Sequence, residues 1–304
     1  MSGSAVPDRF RGACVALGNF DGFHLGHQAV VGRAVDRARA EGRPAIVATF
    51  DPHPMRYFRS DSPPFGLTSL DQREALFAAA GVDAMYVFRF GAALAALSAE
   101  GFVTSQLVEA MGVAAVSTGQ DFTFGKGRSG DIPLMRRLGE RHGFAVDTVD
   151  PVMLDGAVVS STRIREALRG GDPRGAARLL TRPYRIAGVV QHGDKVGRTI
   201  GFPTANLDMG DYLRPAYGIY AVRGRLPDGR VLDGAANLGI RPSFDPPKEL
   251  LEPYFLDFAG DLYGRRIEVE LIDYIRPEAK FDSLDALKAR MDADIAEARR
   301  RLAR

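Results

Sequence analysis

Through about residue 180, short apolar, β-branched and aromatic runs alternate with helix-length amphipathic segments. CVALGNF (14–20), AIVATF (45–50), AMYVFRF (84–90), AAVSTG (114–119) and FAVDTV (144–149) read as strands. Strands that alternate with helices predict a parallel sheet covered on both faces. In the first intervening segment Ala29, Val30, Ala34, Val35 and Ala38 recur near the 3.6-residue period, and Gly42 suits the helix C-terminus. A second helix is predicted to start at TSLDQ, where Ser69 and Gln72 have capping-box spacing.

After about residue 183 the period changes. YRIAGVVQ (184–191), YGIYAVRGRL (217–226), RVLDGAANLG (230–239), EPYFLDF (252–258) and RRIEVELIDYI (265–275) are closely spaced strand-like runs, with PDG (227–229) as a hairpin turn. Only the final stretch is helical, with Leu284, Leu287, Met291 and Ile295 on one predicted face. The expected fold is an α/β, Rossmann-like N-terminal domain over residues 1–182 and an antiparallel β-barrel with a C-terminal helix over 183–304. The basic stretch 161–185 between them reads as helices with solvated faces.

Composition adds only boundaries. At 304 residues and 45% hydrophobic, the chain has room for two cores. The formal charge of +2, from 40 basic and 38 acidic residues, gives no reason to expect nucleic acid or a membrane surface as partner. A single cysteine, Cys14, sits in an apolar run and reads as a buried thiol in a reducing compartment. The N-terminal residues lack a signal-peptide layout and no run approaches a membrane span, so a cytoplasmic location is expected.

The chemistry concentrates in loops. GNFDGFHLGH (18–27) is a glycine-rich turn feeding the first helix, which aims backbone N–H groups and the positive helix end at one point suited to phosphate. His24 and His27 face that point together; a metal pair is the competing reading, although no third ligand lies nearby in sequence. TFDPHP (49–54), GQDFTFGKGRSG (119–130) and SSTRIR (160–165) follow later strands, so a parallel sheet would gather all four loops along one edge. In the second half GDKVGRTIGFPTANL (193–207) brings glycines, Pro203 and two side-chain oxygens, on Thr204 and Asn206, into one loop suited to Mg²⁺ and ATP. A simple Asx-type turn is the plainer alternative.

In order and spacing, the four N-terminal motifs resemble the adenylyltransferase module of bacterial bifunctional riboflavin kinase/FAD synthetases. PTAN, followed by RPAYGIYAV, GAANLGIRPSF, LEPYFLDFAGDLYG and IRPEAKFDSLDAL, resembles the riboflavin kinase module of the same family. The resemblance implies a bifunctional enzyme: riboflavin and ATP give FMN in the barrel, and FMN and ATP give FAD and pyrophosphate in the N-terminal domain. It implies ATP as co-substrate, Mg²⁺ as cofactor, and riboflavin, FMN and FAD as ligands.

Residue by residue, the resemblance makes His24 and His27 electrostatic groups for AMP transfer. It adds Gly18, Phe20, Asp21, Gly22 and Gly26 to the phosphate loop and assigns Ser161, Thr162 and Arg165 to the β- and γ-phosphates. Asp121, Phe122 and Phe124 form a nucleotide or flavin loop, with Asp121 standing where some relatives carry Asn. In the barrel, Gly193, Lys195, Gly201 and Pro203 belong to the ATP loop, Thr204 and Asn206 hold Mg²⁺ through the phosphates, and Glu252 is the general base. Glu249 is the fallback base. Pro253 and Tyr254 depart from the family, whose members usually follow the Glu with a small or β-branched residue. Pro253 is compatible only with an edge or bulge. That departure keeps open an adenylyltransferase with a kinase-inactive, flavin-binding barrel.

Overall fold

Strand β1 (Cys14–Leu17) is buried along its whole length, as expected of a strand covered on both faces. Cys14 and Ala16 pack with helix α1 (Leu25–Glu41), while Val15 and Leu17 join the opposite core with Phe88, Phe102 and Leu107. The computed structural model describes residues 5–192, 202–241 and 248–303. Its contacts divide the chain into two compact units, Met1–Ser62 with Leu70–Ser160, and Pro63–Ser69 with Ser161–Arg304. The sequence division stands at 182/183, and residues 161–182 fall in the second unit.

In the first unit β1 is joined by β2 (Ala45–Asp51), β3 (Ala84–Arg89), β4 (Ala115–Gly119) and β5 (Ala145–Val149) in a sheet of order β3-β2-β1-β4-β5. All pairings are parallel, as the alternating pattern predicts. Helix α1 ends where Gly42 takes the left-handed φ of 62°. After it come α2 (Pro54–Phe58), α3 (Leu70–Ala79), α4 (Ala92–Ala95) and α5 (Ala99–Phe102), which runs on into a π-helix (Val103–Met111). Then α6 (Ile132–His142) leads into β5. Chain order reverses between β1 and β4, so the loops leaving those two strands flank the switch point where open α/β sheets bind ligands.

The sequence reading puts SSTRIR directly after the fifth strand. A small hairpin intervenes, β6 (Met153–Leu154) and β7 (Ala157–Val158), too short to carry a periodic signal. The second unit opens with α7 (Ser161–Arg169) and α8 (Pro173–Leu180), whose apolar residues Ile164, Leu168, Ala176, Leu179 and Leu180 are buried.

Six strands follow: β8 (Tyr184–Val189), β9 (Leu207–Asp208), β10 (Gly218–Arg225), β11 (Val231–Arg241), β12 (Lys248–Phe255) and β13 (Arg266–Arg276). Their order is β8-β13-β10-β11-β12-β9, all antiparallel, and a Gln191–Asn206 bridge brings the two ends together into a nearly closed barrel. The turn at 227–229 joins β10 to β11, with the Gly229 N–H donating to the Leu226 carbonyl at 3.0 Å. Helix α9 (Leu284–Leu302) packs against it, with its buried face nearer the C-terminus than the spacing predicts. Ala298 and Leu302 meet Ala221 and Ala235, whereas Leu284 is exposed. Asp294 on the same face pairs with Arg276. A charged residue that is buried through an ion pair is invisible to an apolar-period reading.

Candidate active sites

The loop from Gly18 to His24 turns tightly at the end of β1. Gly22 takes φ 85°, and Phe20 (φ 50°) and Phe23 (φ 42°) also adopt left-handed backbone, a strained choice for aromatic residues. Burial of both rings holds it: Phe20 packs edge-on against Phe77 of α3 at 5.9 Å and Phe23 does so at 5.2 Å. Gly18 packs close beneath the Phe20 ring, where a Cβ would lie 3.1 Å from it.

His24 caps α1. Its Nδ1 accepts the His27 N–H at 3.4 Å and the residue is only 5% exposed. An accepting Nδ1 carries no proton, so the neutral ring presents Nε2–H as a donor. His27, one turn on, stacks its ring on His24 with centroids 3.6 Å apart and planes 19° apart, and meets Phe20 edge-on at 5.4 Å. Gly26 leaves room for this pair, since a Cβ would come 3.3 Å from the His24 ring. Stacked rings point their nitrogens along parallel planes. An ion bound by both at about 2.1 Å would lie out of both planes, so the geometry suits two donors beside a helix N-terminus better than a shared metal.

The neighbouring loops of this unit carry the other motifs. His53 caps α2, its Nδ1 accepting the Met55 N–H at 3.1 Å. In the loop after β4, Asp121 is exposed and lies over Gly119, where a Cβ would approach its Oδ1 to 3.0 Å. Phe122 and Phe124 stack at 5.9 Å, and Phe124 pairs with Gly130 across a small bridge. From Phe124 a run of rings passes through Phe102 (5.9 Å), Phe50 (6.4 Å) and Phe90 (6.0 Å) to Phe58 (5.7 Å). Phe58 is 66% exposed. Phe50, Phe102 and Phe124 in this run belong to the buried core, while Phe58 and the half-buried Phe90 are its members nearer the surface; these two escape the motif reading because they come from separate segments.

Ser161, Thr162 and Arg165 open α7, in the second unit. Arg165 lies over the Phe65 ring at 5.2 Å and its Nε donates to the Phe65 carbonyl at 2.9 Å.

In the barrel, register brings three residues into line. Glu252 of β12 pairs with Asn237 of β11. On the other side Leu251 pairs with Leu207, and continuing that antiparallel register by one residue sets Asn206 opposite Glu252. A bond from the Ala205 N–H to the Pro253 carbonyl at 2.9 Å holds this extension. Paired residues share a face, so one carboxylate sits between two amide side chains. Asn206 is 7% exposed. Thr204 is half-buried two residues earlier, and Phe202 meets Tyr254 edge-on at 5.6 Å. Beyond Asn237, its Nδ2 reaches Glu278 Oε1 at 3.4 Å. Asn237 and Glu278 lie within the GAANLGIRPSF and IRPEAKFDSLDAL motifs, but the sequence reading gives neither a role.

Pro253 sits as the proline rule expects. In a strand a residue's N–H and C=O point the same way. The Pro253 carbonyl faces Ala205, so its missing donor is absent from that side, beyond the two-residue β9, and the β11–β12 ladder is intact. Gly193, Lys195 and Gly201 lie outside the described residues.

Glu249 has a different task. Three positions from Glu252, it falls on the opposite face of β12, where Arg214 Nε donates to it at 2.7 Å and the Tyr217 hydroxyl makes a short hydrogen bond. Burial alone would raise its carboxyl pKa, but the bonds from Tyr217 and Arg214 outweigh this and hold it below the ordinary value; the Tyr217 hydroxyl is pushed up to about 12 by burial and by Glu249. A depressed folded-state pKa adds stability above the unfolded value near 4.3, lost as pH falls through the folded one. Glu249→Gln is therefore expected to lower the barrel melting temperature by roughly 2–4 °C at pH 7, from about 1 kcal/mol. Thermal melts should show the gap closing below about pH 4, and turnover should stay within a few-fold of the parent.

Thr204 and Asn206 offer neutral oxygens, a donor set that fits Mg²⁺ shared with phosphates and water. Among the described residues, no group of three or more His, Cys, Asp or Glu is placed to hold an ion by itself. Nor is any helix among them long and apolar enough to cross a membrane.

Comparison with known proteins matches the same two halves. Residues 6–163 match the FAD synthetase family and residues 180–302 the riboflavin kinase family. The bifunctional riboflavin kinase/FMN adenylyltransferase of Pseudomonas fluorescens is 42% identical over 290 residues, 95% of this chain and 93% of that protein. Its Escherichia coli K12 counterpart is 40% identical, over 95% of this chain and 92% of that one. A solved Streptococcus pneumoniae structure, named a macrolide-efflux protein, superposes with TM-score 0.86 at 32% identity, covering 97% of this chain and 95% of that one. With both modules matched and the full-length relatives aligned across them, the chain belongs to the bifunctional riboflavin kinase/FMN adenylyltransferase family.

Proposed function

We propose that residues 183–304 phosphorylate riboflavin and that residues 1–182 adenylylate the FMN so formed, each at the residues described above. The observation that carries this division is Glu252 set between Asn206 and Asn237 in one compact unit, while the stacked His24 and His27 lie in the other.

In the kinase step, Glu252 takes the proton from the riboflavin 5′-hydroxyl as that oxygen bonds to the γ-phosphorus of ATP and ADP leaves. One carboxylate in reach of the hydroxyl meets the need of this transfer. Thr204 and Asn206 would hold Mg²⁺ on the ATP phosphates, where the ion neutralises charge. Gly193, Lys195, Gly201 and Pro203 are assigned to the ATP loop by resemblance.

In the second step an FMN phosphate oxygen attacks the α-phosphorus of ATP, and the bond to pyrophosphate breaks. The phosphate of FMN is the nucleophile, so the protein supplies alignment and charge. His24 Nε2–H, the His27 ring and the α1 N-terminus stabilise the charge that grows on the α-phosphate and pyrophosphate. Gly18, Phe20, Asp21, Gly22 and Gly26 shape the loop that presents them. Asp121 acts through its packing on Gly119 as a loop brace, and the exposed Phe58 with Phe90 beside it offers the apolar seat an isoalloxazine needs. Ser161, Thr162 and Arg165 are assigned to the β- and γ-phosphates by the SSTRIR resemblance.

Chromatography of purified protein with riboflavin, ATP and Mg²⁺ tests the proposal. FMN should appear first and FAD after it, both lost when Mg²⁺ is chelated. Absence of both products defeats the proposal; FMN absent while supplied FMN is converted to FAD defeats its kinase half.

A further inference from the structure

Beneath the histidine loop lies a buried cation that no motif contains. Arg73, on α3, is 6% exposed. Its Nη1 donates to the Asn19 carbonyl at 3.2 Å and to Thr49 Oγ1 at 3.2 Å, while Thr49 Oγ1 donates to the same Asn19 carbonyl at 2.9 Å. Three segments meet at this knot: the loop after β1, the end of β2 and the second turn of α3. Burial pushes the guanidinium below its usual range, and Asp21 and Asp51 oppose that shift. Arg73 is thus a cation under the phosphate loop, stabilised by two carboxylates that belong to the GNFDGFHLGH and TFDPHP motifs themselves.

One turn along the same helix face stands Phe77, the ring on which both left-handed residues of the loop, Phe20 and Phe23, rest edge-on. Helix α3 therefore grips the loop at two levels, by its backbone at Asn19 and by its aromatic side chains at Phe77. Phe20 in turn touches His27. A strained loop keeps its shape only while its surroundings over-determine it, and Arg73, Thr49 and Phe77 are such surroundings here.

We infer that Arg73 is a positioning residue for AMP transfer, fixing the loop that carries His24 and His27 by clamping the Asn19 carbonyl together with Thr49. The inference rests on the proposed role of those histidines. It makes the end of β2 and the loop after β1 one mechanical unit. Lysine is a partial substitute: one ammonium nitrogen can donate to both acceptors as Nη1 does, but on a flexible stem without the guanidinium's fixed plane.

Steady-state FAD formation from FMN and ATP tests this in the full chain, with riboflavin phosphorylation followed in the same preparations. For Arg73→Met, kcat should fall about 100-fold, the cost of a small misplacement of catalytic groups, with KM for ATP changed less than about 3-fold. Arg73→Lys should recover part of the loss. Thr49→Val should cost about 10-fold, the scale of one hydrogen bond, and the double variant should be no slower than Arg73→Met alone, as expected of groups in one network. FMN formation should be unaffected throughout. Unchanged kcat in Arg73→Met, multiplicative effects in the double variant, or parallel loss of FMN formation each overturns the inference. Should Arg73→Met not fold, Arg73→Lys and Thr49→Val carry the same comparison. His27→Ala separates the two levels: if it abolishes FAD formation while the Arg73 variants do nothing, only the positioning role fails. If His27→Ala is itself without effect, the reading of the histidines fails and the inference falls with it.

Discussion

Replacing His27 by Ala is expected to lower FAD formation by at least about 100-fold while leaving FMN formation close to that of the parent. The magnitude follows from the loss of one preorganised charge-stabilising group at a centre where the protein supplies no nucleophile. Two features sharpen the effect here. The His27 ring stacks on His24 at 3.6 Å and abuts Phe20, so its removal also strips the packing from one face of the His24 ring. The selectivity follows from placement, since His27 lies in one compact unit and Thr204, Asn206 and Glu252 lie in the other. Separate assays, one supplied with FMN and one with riboflavin, check both halves of the expectation. Equal loss of both activities in a folded variant contradicts it.

Glu252→Gln is expected to give the mirror image: FMN formation falls by about 10²–10⁴-fold, the range for removing a general base, and FAD formation from supplied FMN persists. Glutamine keeps the shape and the outward position between Asn206 and Asn237, so a loss reports the missing base and not a broken ladder. The contrast with Glu249 is part of the expectation. Glu249 is engaged by Arg214 and Tyr217 on the other strand face, and its replacement costs stability and little turnover. Pro253 aims its missing donor away from β11 and leaves that ladder whole, so the family departure at this position gives no structural reason for a silent kinase.

How far the sequence led can be judged from particular residues. The parallel sheet was legible because each strand is short, apolar and separated by a helix-length segment, and Gly42 ends α1 at the expected residue. The histidine pair was legible because glycine spacing and helix periodicity both act over a single turn of chain. What was not legible depends on packing between segments remote in sequence. Strand β9 is two residues long and exists only because β12 offers it an edge. Asp294 is buried by an ion pair with Arg276 that no periodic pattern encodes. Arg73 lies just outside the TSLDQ segment and carries no motif signal. The available signal is its position four residues before Phe77, which puts a cation on the same helix face as a large aromatic.

Two chemically independent sites in one chain, each working without the other, should be separable between molecules. Mixing the two variants tests this most directly. His27→Ala alone should convert riboflavin only as far as FMN, and Glu252→Gln alone should leave riboflavin nearly untouched. Combined in one reaction with ATP and Mg²⁺, they should restore the passage from riboflavin through free FMN to FAD. No FAD from the mixture, when Glu252→Gln still adenylylates supplied FMN and His27→Ala still makes it, would contradict the independence of the sites; FAD from either variant alone at the parent rate would contradict the assignment of its missing residue.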